Sequence, residues 1–345
     1  MHALNATVTQ SEVLLGPENY SQPRHSAWFI GLRCPRCGHD LSSASYRSLA
    51  RNHPGMFCGG CFALFSQEHG IWLALPPGRK NYFSRFAVEY QYIRRQEGRG
   101  SADPEFYLAL PFRDLTGRNA WQWAIRARTF CQIESKILPR LTTGKNPSLA
   151  ILDLGAGNGW LSHRLALSDH RPVAIDLLTN SYDGLGAAYH YFRSSREIFP
   201  RFQAELDNLP FADGQFDCAI FNASFHYSEN YDRTLSEAIR CLRPGGTILI
   251  ADSPTYQAEA SGHLMQQERR REFQHRFGFA SDGLASCDYL TPERLIALEV
   301  RHDLRWKTHK IWYGAKWALR PWIARLKNRR EPSDFFLYST QVKLQ

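Results

Sequence analysis

Three glycines at alternate positions, Gly155, Gly157 and Gly159, close the run Ile151-Leu152-Asp153-Leu154-Gly155-Ala156-Gly157-Asn158-Gly159-Trp160. Glycine has no Cβ, so a turn built on it lets the backbone approach a ligand that other residues would push away. A second acid, Asp176, ends the apolar run Val173-Ala174-Ile175. It stands about 20 residues past the first glycine, where a carboxylate can accept hydrogen bonds from ribose hydroxyls. Four cysteines form a separate constellation, Cys34, Cys37, Cys58 and Cys61, in the pattern Cys-x2-Cys-x20-Cys-x2-Cys. Two such pairs bring four thiolates to one tetrahedral ion, the ligand set of a structural Zn2+ site with no position left for water.

Both motifs have competing readings. A dinucleotide fold needs Gly-x-Gly-x-x-Gly, and its last glycine permits close helix–strand packing. Trp160 stands there, the largest side chain where the smallest is needed. A redox Cys-x-x-Cys pair needs an adjoining α/β fold, which residues 30–75 lack. The other cysteines (131, 218, 241 and 287) are scattered, two of them in apolar runs, as expected of buried thiols in a reducing cytoplasm.

The Gly-x-Gly-x-Gly spacing resembles the first motif of class I S-adenosylmethionine methyltransferases. The stretch Phe202-Gln203-Ala204-Glu205-Leu206-Asp207-Asn208-Leu209-Pro210-Phe211 is similar to the segment that recognises adenine in these enzymes. Asn222 ends a further apolar run, and Arg243-Pro244-Gly245-Gly246 is a helix stop before the run Thr247–Ala251. The resemblance is to the type 11 group and covers about residues 148–255. It implies an S-adenosyl-L-methionine site at Asp153, Gly155, Ala156, Gly157, Gly159, Asp176, Leu177, Glu205, Leu206 and Asn222. His226 and Tyr227, after the Asn222 strand, are the candidate bases, with His190 and Tyr191 next. A base is not obligatory, because alignment of a reactive sulfonium can supply much of the rate.

These residues need strands alternating with helices. The expected fold is α/β, a doubly wound Rossmann-like sheet of seven strands, preceded by a small zinc ribbon and a helical connector. The expected organisation is a flexible tail at 1–26, the ribbon at 27–75, a loop and helical connector or lid at 76–145, and the methyltransferase domain at 146–345. That last domain has an insertion at 255–290 and a basic amphipathic segment at 310–330. Expected helices are Tyr82–Gln96, Ala120–Leu138 capped by Asn119, and Tyr231–Leu242; Leu304–Trp312 and Phe335–Val342 are the last strands.

The formal net charge is +9, and residues 301–330 carry ten Lys/Arg against the single acid Asp303. The basic character therefore belongs to one segment. Ile311, Ala315, Leu319, Trp322, Ile323 and Leu326 recur there at helical spacing, with Pro321 expected to kink the helix. Such a helix can lie on an anionic membrane, bind RNA phosphates or pack on the sheet. No apolar run reaches 18 residues, so no transmembrane segment is expected, and the first residues do not read as a signal peptide.

Three functions remain open. One is methyl transfer to a small-molecule or lipid-like acceptor, cytoplasmic or peripheral to a membrane. Another is a ribosomal RNA (guanine) methyltransferase using the ribbon to hold RNA, although the ribbon carries only Arg33, Arg36, Arg47 and Arg51 against Asp40 and Glu68. The last is a non-catalytic cofactor-binding module. The Asn-Pro-Pro-Tyr signature of exocyclic-amine DNA methylation is absent, since Asn222 is followed by Ala-Ser-Phe.

Overall fold

The computed structural model describes residues 30–41, 55–144, 146–194 and 199–343. The tail expected over 1–26 and the ribbon residues 42–54 lie outside these. The cysteine-bearing segment forms five short strands, β1 (Leu32–Arg33), β2 (Asp40–Leu41), β3 (Gly55–Phe57), β4 (Leu64–Glu68) and β5 (Ile71–Leu73). After the connector come β6 (Ala150–Leu154), β7 (Arg171–Asp176), β8 (Arg201–Gln203), β9 (Phe216–Asn222) and β10 (Leu242–Ala251). The chain ends with β11 (Pro254–Thr255), β12 (Lys307–His309), β13 (Asp334–Phe335) and β14 (Leu337–Gln341).

One sheet runs β12-β14-β10-β9-β6-β7-β8-β5-β4-β3. Its first seven strands are the expected sheet: β8, β7, β6, β9 and β10 are parallel, and β14 pairs antiparallel with β10. The other three belong to the cysteine segment. β5 pairs in parallel with β8, Ile71 opposite Arg201 and Leu73 opposite Gln203, and β4 then β3 follow antiparallel. The segment is thus joined to the main sheet by backbone hydrogen bonds.

Alternation builds the core. Ala150, Leu152 and Leu154 of β6 pack on one face with Leu235 and Ala238 of the helix Tyr231–Cys241 and Leu295 of the helix Pro292–His302. Ile151, with Ala174 and Cys218, packs on the other face against Leu161 and Leu165 of the helix Trp160–Leu167. Side chains of a strand alternate in direction, and a parallel strand covered on both faces is apolar throughout. Successive strands run outward from β6 to β8, and then from β9 to β10 in the opposite direction. The crevice at the carboxyl ends of β6 and β9 is therefore the topological switch point.

Several elements depart from the expected bounds. The first connector helix, α1 (Pro77–Gln96), begins earlier because Pro77 stands at its first position, where a missing N–H is harmless. A short helix, α2 (Pro104–Ala109), capped by Asp103, stands where loop was expected. The next, α3 (Ala120–Gln132), gives way to a wide turn at Ile133–Ile137 and a short helix Leu138–Leu141. Pro139 explains the break, since the wide turn moves it into a first turn. Asn119 does not cap α3 with its side chain but donates to the Glu97 carbonyl at 3.1 Å. The helix after Asn230 ends at Cys241, and β10 already starts at Leu242 with a register shift through Arg243–Gly246. The strand expected over Leu304–Trp312 is only Lys307–His309, and the last is divided into β13 and β14 at Phe336.

The basic segment is not one kinked helix. It forms two short helices, Ala315–Ala318 and Arg320–Leu326, with no buried residue in either. Pro321 lies in the first turn of the second, where it breaks continuity instead of bending it. No helix of the described residues is long and apolar enough to cross a membrane.

Candidate cofactor and acceptor site

The glycine turn at the end of β6 has left-handed backbone at all three glycines, φ of 77° at Gly155, 56° at Gly157 and 78° at Gly159. A Cβ at Gly155 would stand 2.3 Å from the Ser224 Cβ, so β9's following turn also requires glycine there. The turn is tied to β7: Gly155 and Ala156 both donate from the backbone to the Ile175 carbonyl at 2.8 Å. The Gly157 N–H donates to one Asp176 oxygen at 2.8 Å and the Leu178 N–H to the other at 2.8 Å. Burial raises the Asp176 carboxyl to about 6, against backbone hydrogen bonds that favour the carboxylate.

This turn opens on a cavity. Gly155, Ala156, Gly157, Asp176, Leu177, Leu206, Asn222 and Tyr227 line it, as do Asn158, Trp160 and Ala204. Asn222 brings a buried Oδ1 with no hydrogen-bond partner. The opposite wall comes from the connector: Phe86, Tyr90 and Arg94 of α1, and Trp123 and Arg126 of α3. Tyr90 and Tyr227 meet edge to face at 5.7 Å. Cavities with aromatic walls and a few polar groups hold small ligands.

Six expected site residues do not line the cavity. Asp153 is 1% exposed and accepts from both the Ser162 N–H at 3.1 Å and its hydroxyl at 2.8 Å, which pins the helix Trp160–Leu167 to the strand. Gly159 starts that helix, and a Cβ there would press on Phe199 at 3.1 Å. Glu205 is buried and engaged by Arg79 of α1, whose Nε lies at 2.8 Å and Nη2 at 2.7 Å from the same carboxylate oxygen. Arg79 in turn covers the Tyr82 ring at 4.4 Å. His226 lies away from the cavity, its Nδ1 3.4 Å from the Ser253 hydroxyl. Burial pushes the His226 imidazole down to about 3, so it stays neutral without readily taking a proton. His190 stacks on Tyr107 at 4.3 Å, and Tyr191 is fully buried.

The connector supplies groups that sequence reasoning missed. Arg94 forms a buried ion pair with Asp183, and both line the cavity. The pair is non-local, so the only signal was the Arg94-Arg95 end of an amphipathic stretch. Arg126 lines the cavity with its guanidinium 4.7 Å from the Trp123 ring centroid. Burial, with Arg94 and Arg99 nearby, pushes it down to about 10.

The four cysteine sulfurs converge as their spacing predicts, all within 4.8 Å of one another. Cys34 and Cys61 are 3.6 Å apart and Cys37 and Cys58 3.5 Å. A zinc ion at about 2.3 Å from each of four tetrahedral sulfurs requires sulfur–sulfur spacings of about 3.8 Å. The donor set therefore fits the ion. Each knuckle is closed by a backbone bond, Gly38 N–H to the Cys34 carbonyl at 2.8 Å and Phe62 N–H to the Cys58 carbonyl at 2.9 Å.

Residues 152–250 match a family described as a methyltransferase domain. A malonyl-[acyl-carrier protein] O-methyltransferase of Methylococcus capsulatus is 32% identical over 105 residues, which are 30% of this chain and 38% of that protein. A ubiquinone/menaquinone biosynthesis C-methyltransferase of Brucella anthropi is 28% identical over 114 residues, 32% of this chain and 43% of the other. The chain thus spans less than half of these curated relatives' length. Among solved structures, 1,6-didemethyltoxoflavin-N1-methyltransferase of Burkholderia thailandensis, with bound S-adenosylhomocysteine, is 13% identical with a TM-score of 0.43. That comparison covers 86% of this chain and 98% of the other. An S-adenosylmethionine dependent methyltransferase from Mesorhizobium loti is 18% identical, with a TM-score of 0.41 over 64% of this chain and 98% of the other. Residues 152–250, with their glycine turn and strand order, thus form a class I S-adenosylmethionine-dependent methyltransferase domain of the type 11 group.

Proposed function

We propose that the protein transfers a methyl group from S-adenosylmethionine to a small-molecule or lipid-like acceptor held in the cavity between the sheet and the connector. The observation that carries this is convergence. The glycine turn, Asp176, Asn222 and an aromatic connector wall all line one cavity.

The residues fit the cofactor. Asp176 has a carboxylate held by two backbone N–H groups beside the glycine turn, placed for ribose hydroxyls. Leu177, Ala204 and Leu206 give apolar walls for a base, and Glu205, through Arg79, fastens that wall to α1. The bound cofactor would supply an electrophilic methyl on a sulfonium. The chain's own part is to hold acceptor and cofactor in line and exclude water. Phe86, Tyr90, Trp123 and Tyr227 do the holding. Tyr227 is the expected base candidate that reaches the cavity; His226 is not placed to move a proton there.

The four cysteines are proposed to hold a structural zinc ion. The small-acceptor reading is favoured over RNA because the described ribbon carries only Arg33 and Arg36, and Arg33 already donates to the Gly38 carbonyl at 3.1 Å and lies 3.8 Å from Asp213. The exposed Trp322, Ile323 and Leu326, beside Lys316, Arg325 and Lys327, favour delivery of an amphiphilic acceptor at an anionic membrane surface. Co-sedimentation with phosphatidylglycerol vesicles checks this: Lys327→Gln should weaken binding about fivefold, and equal binding to neutral vesicles counts against it.

The test of the main reading is label partitioning. Purified protein is incubated with radiolabelled S-adenosylmethionine and a lysate from a strain lacking the gene, and products are separated into RNA, protein and solvent-extractable fractions. Label in the small-molecule or solvent fraction, lost in Asp176→Ala, is expected. Label confined to RNA would replace the reading with the RNA alternative.

A further inference from the structure

Cations beside this cavity are matched with acids, with one exception. Arg79 is paired with Glu205, Arg94 with Asp183 and Arg99 with Glu97 at 2.9 Å. Arg126 makes no ion pair or hydrogen bond with any described residue, and its guanidinium stands over the face of Trp123. Two acids near it are already engaged, while the Asp252 Oδ2 is buried without a hydrogen-bond partner. Asp183 is held by Arg94, and Asp176 by the backbone N–H groups of Gly157 and Leu178. Asp252 attracts Arg126 from beyond ion-pair distance, with one oxygen accepting from the Thr129 hydroxyl at 2.7 Å.

A second group points the same way. The Trp123 indole Nε1–H is buried and has no acceptor, although Trp123 is only 2% exposed. A buried donor without an acceptor is unfavourable, and natural cores rarely leave one. Trp123 and Arg126 are three residues apart on α3, so they share a helix face. That face lines the cavity. One cation and one neutral donor therefore stand unmet on the acceptor side, opposite the glycine turn.

We propose that Arg126 and the Trp123 N–H form a site for a carboxylate carried by the acceptor. A planar guanidinium presents a fork of N–H groups that matches the two oxygens of a carboxylate. One free cation balances a monoanion; a phosphate would leave charge over, since Arg94 and Arg99 are already paired. The aromatic lining sets the rest of the molecule as apolar, an aryl or acyl body. The acceptor class is thus an organic acid with an apolar body. This deepens the methyltransferase reading and rests on it.

The test uses the whole chain. Calorimetric titration with S-adenosylhomocysteine comes first: no binding sinks the methyltransferase reading, and this inference with it. On the saturated complex, benzoate is then compared with benzamide, the same ring without charge, and with phenyl phosphate. Benzoate is expected to bind and raise Tm, with benzamide and phenyl phosphate giving less. Arg126→Gln should weaken benzoate binding about thirtyfold or more, and Arg126→Lys by less. Both variants should keep wild-type affinity for S-adenosylhomocysteine, which also shows that they fold. An equal response to benzoate and benzamide, a preference for phenyl phosphate, or wild-type benzoate binding by Arg126→Gln would overturn the carboxylate site while leaving the methyltransferase reading intact.

Discussion

Replacing Asp153 by asparagine should stabilise the protein at alkaline pH and do much less at acid pH. The side chain is 1% exposed and takes two hydrogen bonds from Ser162 on a single oxygen. Burial outweighs those bonds and raises the carboxyl from 3.8 to about 7. The folded state therefore binds this proton more tightly than the unfolded state. Its contribution to stability is fully present below about pH 4 and is lost as pH rises to about 7. For these two values the lost stabilisation between about pH 5 and about pH 8.5 is about 3 kcal/mol. Asparagine keeps the acceptor oxygen for Ser162 and never ionises, so its advantage over wild type should grow by that amount across the same interval. Guanidinium denaturation followed by tryptophan fluorescence at the two pH values measures it. Protonation of the cysteines affects both proteins alike and cancels. A difference that stays within about 0.5 kcal/mol, beyond the error of extrapolation, would mean that the carboxyl ionises at no cost in place. The account of Asp153 as a buried strand-to-helix tie would then be wrong.

Two further outcomes follow from the glycine turn and the cysteines. Gly155→Ala combines a φ of 77° with a Cβ 2.3 Å from Ser224, whereas Gly157→Ala has a φ of 56° but no atom nearer than 3.6 Å. Strain alone should lower stability by about 1–2 kcal/mol at Gly157, and clash should add about 1–3 kcal/mol at Gly155; equal Tm losses would refute the distinction. Elemental analysis should find one zinc ion per chain, lost in Cys58→Ser. Hydrogen exchange in that variant should quicken at Ile71–Leu73 while β6 stays protected, and unchanged exchange would show that the cysteines do not support β5.

The sheet was legible because its signals are local. Apolar runs ending at Asp176 and Asn222, and glycines where φ is positive, announce strands and their turns without reference to anything distant. The glycine turn and the cysteine cluster take the local geometry that their spacing predicts for that reason. Asp153 looked the same in sequence as Asp176, yet it precedes the strand end by one residue. Alternation turns its side chain to the helix face that carries Ser162, away from the cavity. Arg79, Arg94 and Arg126 were not legible as site residues. On a helix, arginines spaced among aromatics look like a solvated face, and only the fold shows that Glu205 and Asp183 meet the first two. Pro139 and Pro321 were visible, but whether a proline kinks a helix or starts a new one depends on packing around it.

The cysteine segment carries the same lesson furthest. Its sequence reads as a separate ribbon, and nothing local says that Ile71–Leu73 would pair with Arg201–Gln203. That pairing has a consequence for the site. β8 ends at Gln203, directly before Ala204, Glu205 and Leu206, and the Ala74 N–H extends the ladder to the Gln203 carbonyl at 2.9 Å. Five residues further on, Arg79 engages Glu205. One wall of the cavity is thus gripped twice by the chain that leaves the cysteines, once through the backbone and once through a side chain. A zinc ion that orders β3, β4 and β5 would order that wall as well. The ribbon is then a part of the same sheet as the methyltransferase strands, and its four cysteines would bear on cofactor binding without touching the cofactor.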